Sequence, residues 1–149
     1  IPQMGICYGH QLMGLAIMGA GAVRKSPMGM EAGWCRVSFP AGGKVALPGV
    51  SRSEVLFQHH FDEVIELPEG SMVIATNDHT RVQAYVNAGH RLFGVQFHPE
   101  YDREQGNRYF EEDRYLLEAN GVDVDEVLRR GPSLETGRVF FELFLGFFD

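Results

Sequence analysis

A cysteine between two glycines near the start of the chain constrains the fold more than any other feature. The segment Gly5–Gln11 reads Gly-Ile-Cys-Tyr-Gly-His-Gln, and it begins at the end of an apolar strand pattern over residues 4–6. Glycines on both sides of Cys7 offer little steric resistance to a sharp turn. Residues 10–18 then carry a helical apolar pattern that ends at Gly19. The pattern predicts a strand, a tight turn and a helix, which is the cysteine counterpart of the nucleophile elbow of serine hydrolases.

The same turn gives Cys7 a chemical character. At the N-terminus of a helix, its sulfur meets the positive end of the helix dipole, which favours the thiolate. The backbone N–H of Tyr8, the next residue, can supply one oxyanion donor. Gln11 follows four residues after Cys7 and is expected to face the same side of the helix as the elbow. Cys7 is therefore a candidate nucleophile for attack on a carbonyl carbon.

A candidate base lies far downstream, at the end of a second apolar strand pattern. Residues 92–97 read as a buried strand, and His98-Pro99-Glu100 follows. Side chains alternate along an extended backbone, so His98 and Glu100 should point the same way. Pro99 cannot donate to a ladder and suits the point where pairing stops. Glu100 can then hold the His98 imidazole in one tautomer with its other nitrogen facing Cys7.

Together these segments resemble the class I glutamine amidotransferases. The chain carries Gly5-Ile-Cys-Tyr-Gly-His-Gln11 and, in the same order, Gly94-Val-Gln-Phe-His-Pro-Glu100. Glu31-Ala-Gly-Trp34 resembles the E-x-G-W element of stand-alone members similar to the amidotransferase part of GMP synthase. Gln58-His-His-Phe-Asp-Glu-Val64 resembles the S-H-G-D-x-V segment of the family. The resemblance extends from residue 1 to about residue 101 and more loosely through the C-terminal helix.

In the last of these segments, two positions match the family and two depart from it. His59 and Asp62 stand where the family has histidine and aspartate, whereas Gln58 replaces a serine and His60 replaces a glycine. These departures bear on the substrate details around that loop.

The resemblance implies a flavodoxin-like, three-layer α/β domain with a central, mostly parallel sheet, and we expect a single amidotransferase domain over residues 1–149. Family members have further strands ahead of the elbow and a glycine-rich loop that helps form the oxyanion hole. The sequence opens at Ile1, directly before the elbow strand. We therefore expect an N-terminally truncated domain without its first strands and that loop. Loss of one oxyanion donor costs about a hundredfold or more in rate, so these residues alone are expected to be poorly active.

The resemblance also implies a reaction, hydrolysis of the side-chain amide of glutamine through a γ-glutamyl thioester. Cys7, His98 and Glu100 are then the catalytic residues. Three further residues are expected to contact the substrate: Tyr8, Gln11 and His59. In the family, the ammonia passes to a synthetase domain or subunit.

Two other functions stay open at this point. The same cysteine–histidine–glutamate machinery can cleave a γ-glutamyl amide or peptide without any transfer, and the departures at Gln58 and His60 keep this interpretation open. A non-catalytic domain that binds a partner is the second alternative, which the missing oxyanion loop favours.

Composition excludes several other classes of function. The net charge of −7 argues against binding to nucleic acid or to an anionic membrane surface, and the sequence has no apolar run long enough to span a bilayer. Two cysteines do not make a disulfide framework, so a reducing cytoplasm is the expected location. Cys35 follows Trp34 in a strand pattern and is expected to be structural.

Neither a metal nor a cofactor is expected. No phosphate-binding G-x-x-x-x-G-K-[ST] loop occurs in the sequence. Four histidines fit no strong zinc spacing: His59, His60, His79 and His90.

Further strands and helices are predicted from periodicity and turn residues. Strands are predicted over residues 22–25, 34–39, 55–58, 72–76 and 81–87, with a turn at residues 40–43. Helices are predicted over residues 104–120, 123–130 and 134–148, and the phenylalanines of the last one are expected to face the core or an interface.

Overall fold

The computed structural model describes residues 1–40 and 47–148, and it places eight strands and five α-helices within them. The strands are β1 (Gln3–Ile6), β2 (Val23–Lys25), β3 (Glu31–Ser38), β4 (Ser53–His60), β5 (Asp62–Val64), β6 (Ser71–Ala75), β7 (Ala84–Asn87) and β8 (Leu92–Val95). The helices are α1 (Tyr8–Met18), α2 (Arg103–Glu112), α3 (Arg114–Ala119), α4 (Val124–Leu128) and α5 (Thr136–Phe147), and a short 3₁₀ turn at Ala20–Ala22 precedes β2.

The main sheet contains four strands in the order β1-β8-β7-β6. β1 runs parallel to β8, with Ile6 opposite Val95, whereas β8 pairs with β7 and β7 pairs with β6 in antiparallel fashion. Strands β6, β7 and β8 follow one another through short connections, which can join antiparallel neighbours but not parallel ones. The α/β class is confirmed, but the expected mostly parallel sheet is not: within the described residues this sheet is mixed, and only its β1–β8 pairing is parallel.

Helices cover both faces of this sheet. On one face, the ring of Phe93 in β8 lies 6.2 Å from that of Phe144 in α5. On the other face, the ring of Tyr85 in β7 lies 5.1 Å from that of His10 in α1. Successive residues of a strand point to opposite faces, which is how β7 and β8 supply apolar side chains to both helices. The described residues therefore form three layers, with α1 and α5 outside the sheet.

Helix α1 approaches β1 and β8 so closely that glycine is needed at two contacts. A Cβ at Gly94 would lie 2.6 Å from His10 Nδ1 and from Tyr85 Cε1. A Cβ at Gly5 would lie 2.6 Å from the backbone carbonyl group of Gly9. This close approach lets α1 begin directly at the carboxyl ends of β1 and β8, so the elbow lies where both strands end.

A second apolar cluster joins the β3–β4 pair to helices α2 to α4. The rings of Phe57 in β4 and Phe110 in α2 stack with their centroids 4.3 Å apart. Trp34 in β3 packs edge-on against both rings, and its indole N–H donates to Asn107 Oδ1 over 2.7 Å. This cluster fixes β4, and with it residues 57–60, beside the end of β8.

Most elements predicted from sequence occur close to their predicted positions, and the exceptions have physical causes. The helix predicted over residues 104–120 is divided into α2 and α3 at Asp113, whose side chain lies 3.0 Å from His59. Strand β5 is not predicted from the sequence, because three residues are too few to show alternation. The predicted turn at residues 40–43 lies, from residue 41 onward, outside the described residues.

The predicted apolar face of the last helix is confirmed, since Phe140 is fully buried and Leu143, Phe144 and Phe147 pack against the same core. In the part of the chain that the structure describes, none of the helices has both the length and the apolar character needed to cross a bilayer.

Candidate active site

Cys7 lies on a strained turn between β1 and α1. Its backbone has φ 47° and ψ −103°, a positive φ that is uncommon outside glycine. The Cys7 N–H donates to the Val95 carbonyl over 2.8 Å, and the Cys7 carbonyl accepts from Gln11 N–H over 3.0 Å. The strand–turn–helix predicted from the sequence is therefore present. Such strain costs about 1–3 kcal/mol and is concentrated at functional sites.

His98 and Glu100 follow β8 and form a close pair. The His98 N–H donates to the Phe57 carbonyl over 3.0 Å, which fixes its backbone against β4. Its imidazole packs edge-on against the Phe57 ring, and its Nδ1–H donates to Glu100 Oε1 over 2.6 Å. The imidazole also lies within hydrogen-bonding reach of the Cys7 side chain. The parallel β1–β8 pairing thus brings together Cys7, His98 and Glu100.

These contacts change the protonation of His98. Burial alone would lower the pKa of its imidazole, but hydrogen bonds to Cys7 and Glu100, and the negative charges of both, raise it to about 9. His98 is therefore protonated at neutral pH and places a positive charge beside the sulfur. A cation in this position favours the thiolate form of a cysteine.

Replacing Glu100 with glutamine tests the origin of this shift. The amide keeps an acceptor for His98 but removes the negative charge, so the pKa of His98 should fall from about 9 toward its ordinary 6.5 in an NMR titration. A raised folded-state pKa stabilises the fold below the unfolded-state pKa, and that stabilisation is lost as the pH rises through the folded-state value. Below about pH 6.5, the wild type should therefore have a larger free energy of unfolding than the variant. This difference should decrease above that pH and disappear as the pH rises past about 9.

Glu104→Gln is the matched control, because it removes an exposed carboxylate from the first turn of α2. It should leave the pKa of His98 unchanged. A Glu100→Gln protein in which His98 titrates as in the wild type would show that Glu100 does not cause the raised pKa of His98.

The structure places the three predicted substrate residues differently from one another. Tyr8 is the first residue of α1 and its ring is exposed, and the first backbone N–H groups of a helix have no partner inside it. His59 turns its imidazole toward Asp113, and its carbonyl oxygen, rather than its ring, lies 3.9 Å from Cys7 Sγ. Burial lowers the pKa of His59, assisted by the charge of His98 and opposed by Asp113.

Gln11 is buried and reaches the elbow through another glutamine. Its Nε2 donates to the Asp62 carbonyl over 3.0 Å and to Gln96 Oε1 over 3.2 Å. Gln96, which is fully buried, donates from its own Nε2 to Cys7 Sγ over 3.5 Å. Sequence reasoning missed Gln96. The available signal was a polar residue within an apolar strand pattern, two positions before His98 and so on the same face.

A cavity of about 530 Å³ opens beside Glu100, between the end of β8 and helix α2. Tyr101 and Tyr109 line it together with Arg108. Burial, followed by nearby negative charges that include Cys7, raises the pKa of both tyrosines, so their hydroxyls stay protonated at neutral pH. A space of this size suits a small polar molecule.

The second cysteine and two of the remaining histidines lie in other environments. Burial, and then the charge of Glu31, raises the pKa of Cys35 to about 12, which makes it a poor nucleophile. His60 Nε2 and His79 Nδ1 lie 2.9 and 3.5 Å from Glu31 Oε2. Within residues 1–40 and 47–148, no group of three or more ligating side chains is arranged to hold a metal ion.

Comparison with known proteins finds relatives among GMP synthases. The chain is 39% identical over 100 residues to one of the subunits of the glutamine-hydrolyzing GMP synthase from Saccharolobus solfataricus, an alignment that covers 67% of this chain and 51% of that protein. It is 35% identical over 130 residues to the glutamine-hydrolyzing GMP synthase from Leifsonia xyli, covering 84% of this chain and 25% of that protein. The chain therefore spans about half, or less, of the length of these curated relatives.

Solved structures show the same likeness. A glutamine amidotransferase from Thermotoga maritima superposes with a TM-score of 0.71 at 26% identity, over 97% of this chain and 58% of that one. A glutamine amidotransferase from Methylobacillus flagellatus gives a TM-score of 0.64 at 28% identity, over 76% of this chain and 44% of that one. The sequence profile of the family described as glutamine amidotransferase class-I matches residues 1–116. The chain belongs to the class I glutamine amidotransferase family.

Proposed function

We propose that the protein hydrolyses the side-chain amide of glutamine and releases ammonia for a synthetase partner. One observation carries this proposal: a cysteine on a strained elbow lies in contact with a histidine whose pKa is raised to about 9. A protonated histidine beside a sulfur is suited to an amide, because the leaving amine needs a proton. Membership of the family makes glutamine the substrate of choice.

In the first step, the Cys7 thiolate attacks the carboxamide carbon of glutamine. The carbon–nitrogen bond breaks as His98 gives its proton to the departing amine, which leaves as ammonia, and a γ-glutamyl thioester remains on Cys7. The now neutral His98 then takes a proton from a water molecule, and the resulting hydroxide attacks the thioester. Glutamate leaves, and both the thiolate and the protonated imidazole are restored.

Two features of the site support these steps. Glu100 holds the His98 ring through its Nδ1–H, which leaves Nε2 for the amine and the water. The backbone N–H of Tyr8, in the unpaired first turn of α1, is the proposed donor to the oxyanion.

The partner is proposed from the relatives. One relative is a GMP synthase subunit, and this chain covers 25% of another, a GMP synthase. A separate or fused synthetase that consumes ammonia is therefore the proposed acceptor system.

The test is an assay of the full-length protein with glutamine and, separately, with a γ-glutamyl peptide. We expect ammonia and glutamate in equal amounts from glutamine, and faster release when the synthetase partner is present. Rapid peptide cleavage beside negligible glutamine turnover would replace this proposal with a γ-glutamyl hydrolase. No turnover of either substrate, with no labelling of Cys7 by an electrophilic glutamine analogue, would indicate a non-catalytic domain.

A further inference from the structure

A directional chain of hydrogen bonds leads to the sulfur of Cys7, and it starts at the carbonyl oxygen of Asp62. This oxygen can only accept. It lies 2.9 Å from His60 Nδ1 and 3.0 Å from Gln11 Nε2, so both nitrogens must donate to it. This backbone carbonyl therefore determines that Nε2 of the Gln11 amide, and not Oε1, faces it.

The orientation of Gln11 determines that of Gln96. Since Gln11 Nε2 also faces Gln96 across 3.2 Å, the atom of Gln96 that it meets must be the accepting Oε1. The amide nitrogen of Gln96 is then left on the side of Cys7, where Nε2 lies 3.5 Å from Sγ. The sulfur accordingly receives an N–H donor from a fully buried side chain.

The Asp62 carbonyl, where the series of hydrogen bonds starts, is itself held in place by His60. His60 Nε2 lies 2.9 Å from Glu31 Oε2, so this imidazole has an oxygen partner at each ring nitrogen. Glu31 is buried and also accepts from Gln83 and Thr80, over 2.8 and 3.3 Å. Burial tends to raise the pKa of Glu31, but the hydrogen bond and charge of His60 lower it below its usual value, so Glu31 stays ionised. The histidine that replaces the family's glycine thus anchors the Asp62 carbonyl.

We propose that Gln96 is a catalytic residue that stabilises the Cys7 thiolate by donating its amide N–H, and that Gln11 positions it. The inference rests on the proposed function in taking Cys7 as the nucleophile. A hydrogen bond to an ionised group is stronger than one to a neutral group. The donor therefore favours the sulfur when it is negative, both before attack on the amide and when the thioester breaks.

Other groups around the sulfur also act on it. His98 supplies a positive charge, while Glu100 lies behind it as a negative one. Tyr101 and Tyr109 are close enough for the charge of Cys7 to raise their pKa. All of these side chains are retained in a Gln96 variant, so a changed reactivity of Cys7 traces to the loss of the amide.

The test measures alkylation of Cys7 by iodoacetamide in the full-length protein as a function of pH, with the modified peptide identified by mass spectrometry. In Gln96→Met, which keeps the length of the side chain but has no N–H, the midpoint of the alkylation profile should rise by about one to two pH units. Gln11→Met should give a smaller rise, because Gln96 stays but is no longer oriented. Asn87→Leu removes a buried amide at the other end of β7 and should give the wild-type midpoint.

An unchanged midpoint in a folded Gln96→Met protein would overturn the inference. If that variant does not fold, as judged by its thermal unfolding, Gln11→Met carries the test, and an unchanged midpoint there has the same meaning. The assay contains no glutamine. A shifted midpoint in a protein that does not hydrolyse glutamine would therefore support the role of Gln96 and reject the proposed function.

Discussion

Replacing Cys7 with serine should reduce ammonia release from glutamine by about a thousandfold or more while leaving the protein folded. A serine hydroxyl keeps its proton at neutral pH and needs a base to become a nucleophile. In the variant, the sulfur that helps to raise the pKa of His98 is gone, and the site has no ionised nucleophile. The change is small in volume, and the backbone hydrogen bonds of the elbow, from Cys7 N–H to Val95 and from Gln11 N–H to the Cys7 carbonyl, do not depend on the side chain.

Ammonia release by the full-length protein is the measurement, with thermal unfolding as the check on folding. Cys35→Ser is the matched control, since Cys35 lies in β3 with a pKa raised to about 12, and it should retain most of the activity. A Cys7→Ser protein that keeps a tenth or more of wild-type activity would contradict the assignment of the nucleophile.

Replacing His98 with asparagine should cause a loss of similar size, about a thousandfold. The variant loses both the proposed proton donor for the departing amine and the positive charge beside the sulfur. Its backbone N–H can still donate to the Phe57 carbonyl, so the end of β8 should keep its position.

The pH dependence of the rate distinguishes this role from a structural one. In the proposed mechanism, the proton for ammonia comes from His98, so the rate of the first step should fall as the pH rises through about 9. The residual rate of His98→Asn should lack that descending limb. The pH profile of Glu100→Gln should lie between those of the wild type and His98→Asn. Its descending limb should move to lower pH, because the Glu100 carboxylate is one of the groups that raise the pKa of His98. A wild-type limb retained in His98→Asn would assign the proton to another group.

The local parts of the fold could be predicted from the sequence, whereas the pairing of its strands could not. The elbow at Cys7 and the strand before His98 are visible because glycines, apolar residues and turn residues occur in short, recognisable patterns. The antiparallel order β8-β7-β6 depends on how the connections between these strands fold back. The residue pattern of a single strand does not predict which other strand it pairs with. The break at Asp113 has a similar cause, since it depends on a distant partner, His59.

The candidate site shows the same division. Cys7, His98 and Glu100 could be chosen because their residue types and order match one chemical arrangement, and the structure places His98 beside both of the others. The sequence predicts that Gln11 faces the same side of the helix as the elbow, and in the structure it is linked to the sulfur through Gln96. The contribution of Gln96 depends on the direction of hydrogen bonds across three separate segments, which only the assembled structure reveals.

The parallel register of β1 and β8 has a consequence for how the protein acquires its chemistry during folding. The antiparallel strands β6, β7 and β8 can form from neighbouring segments of the chain, but β1 joins β8 across 89 positions, the separation of Cys7 and Gln96. Closing so long a loop is entropically costly and slow compared with local pairing. An intermediate with only the local strands formed carries His98 and Gln96 but lacks Cys7 beside them, so the site is complete only after β1 has paired with β8.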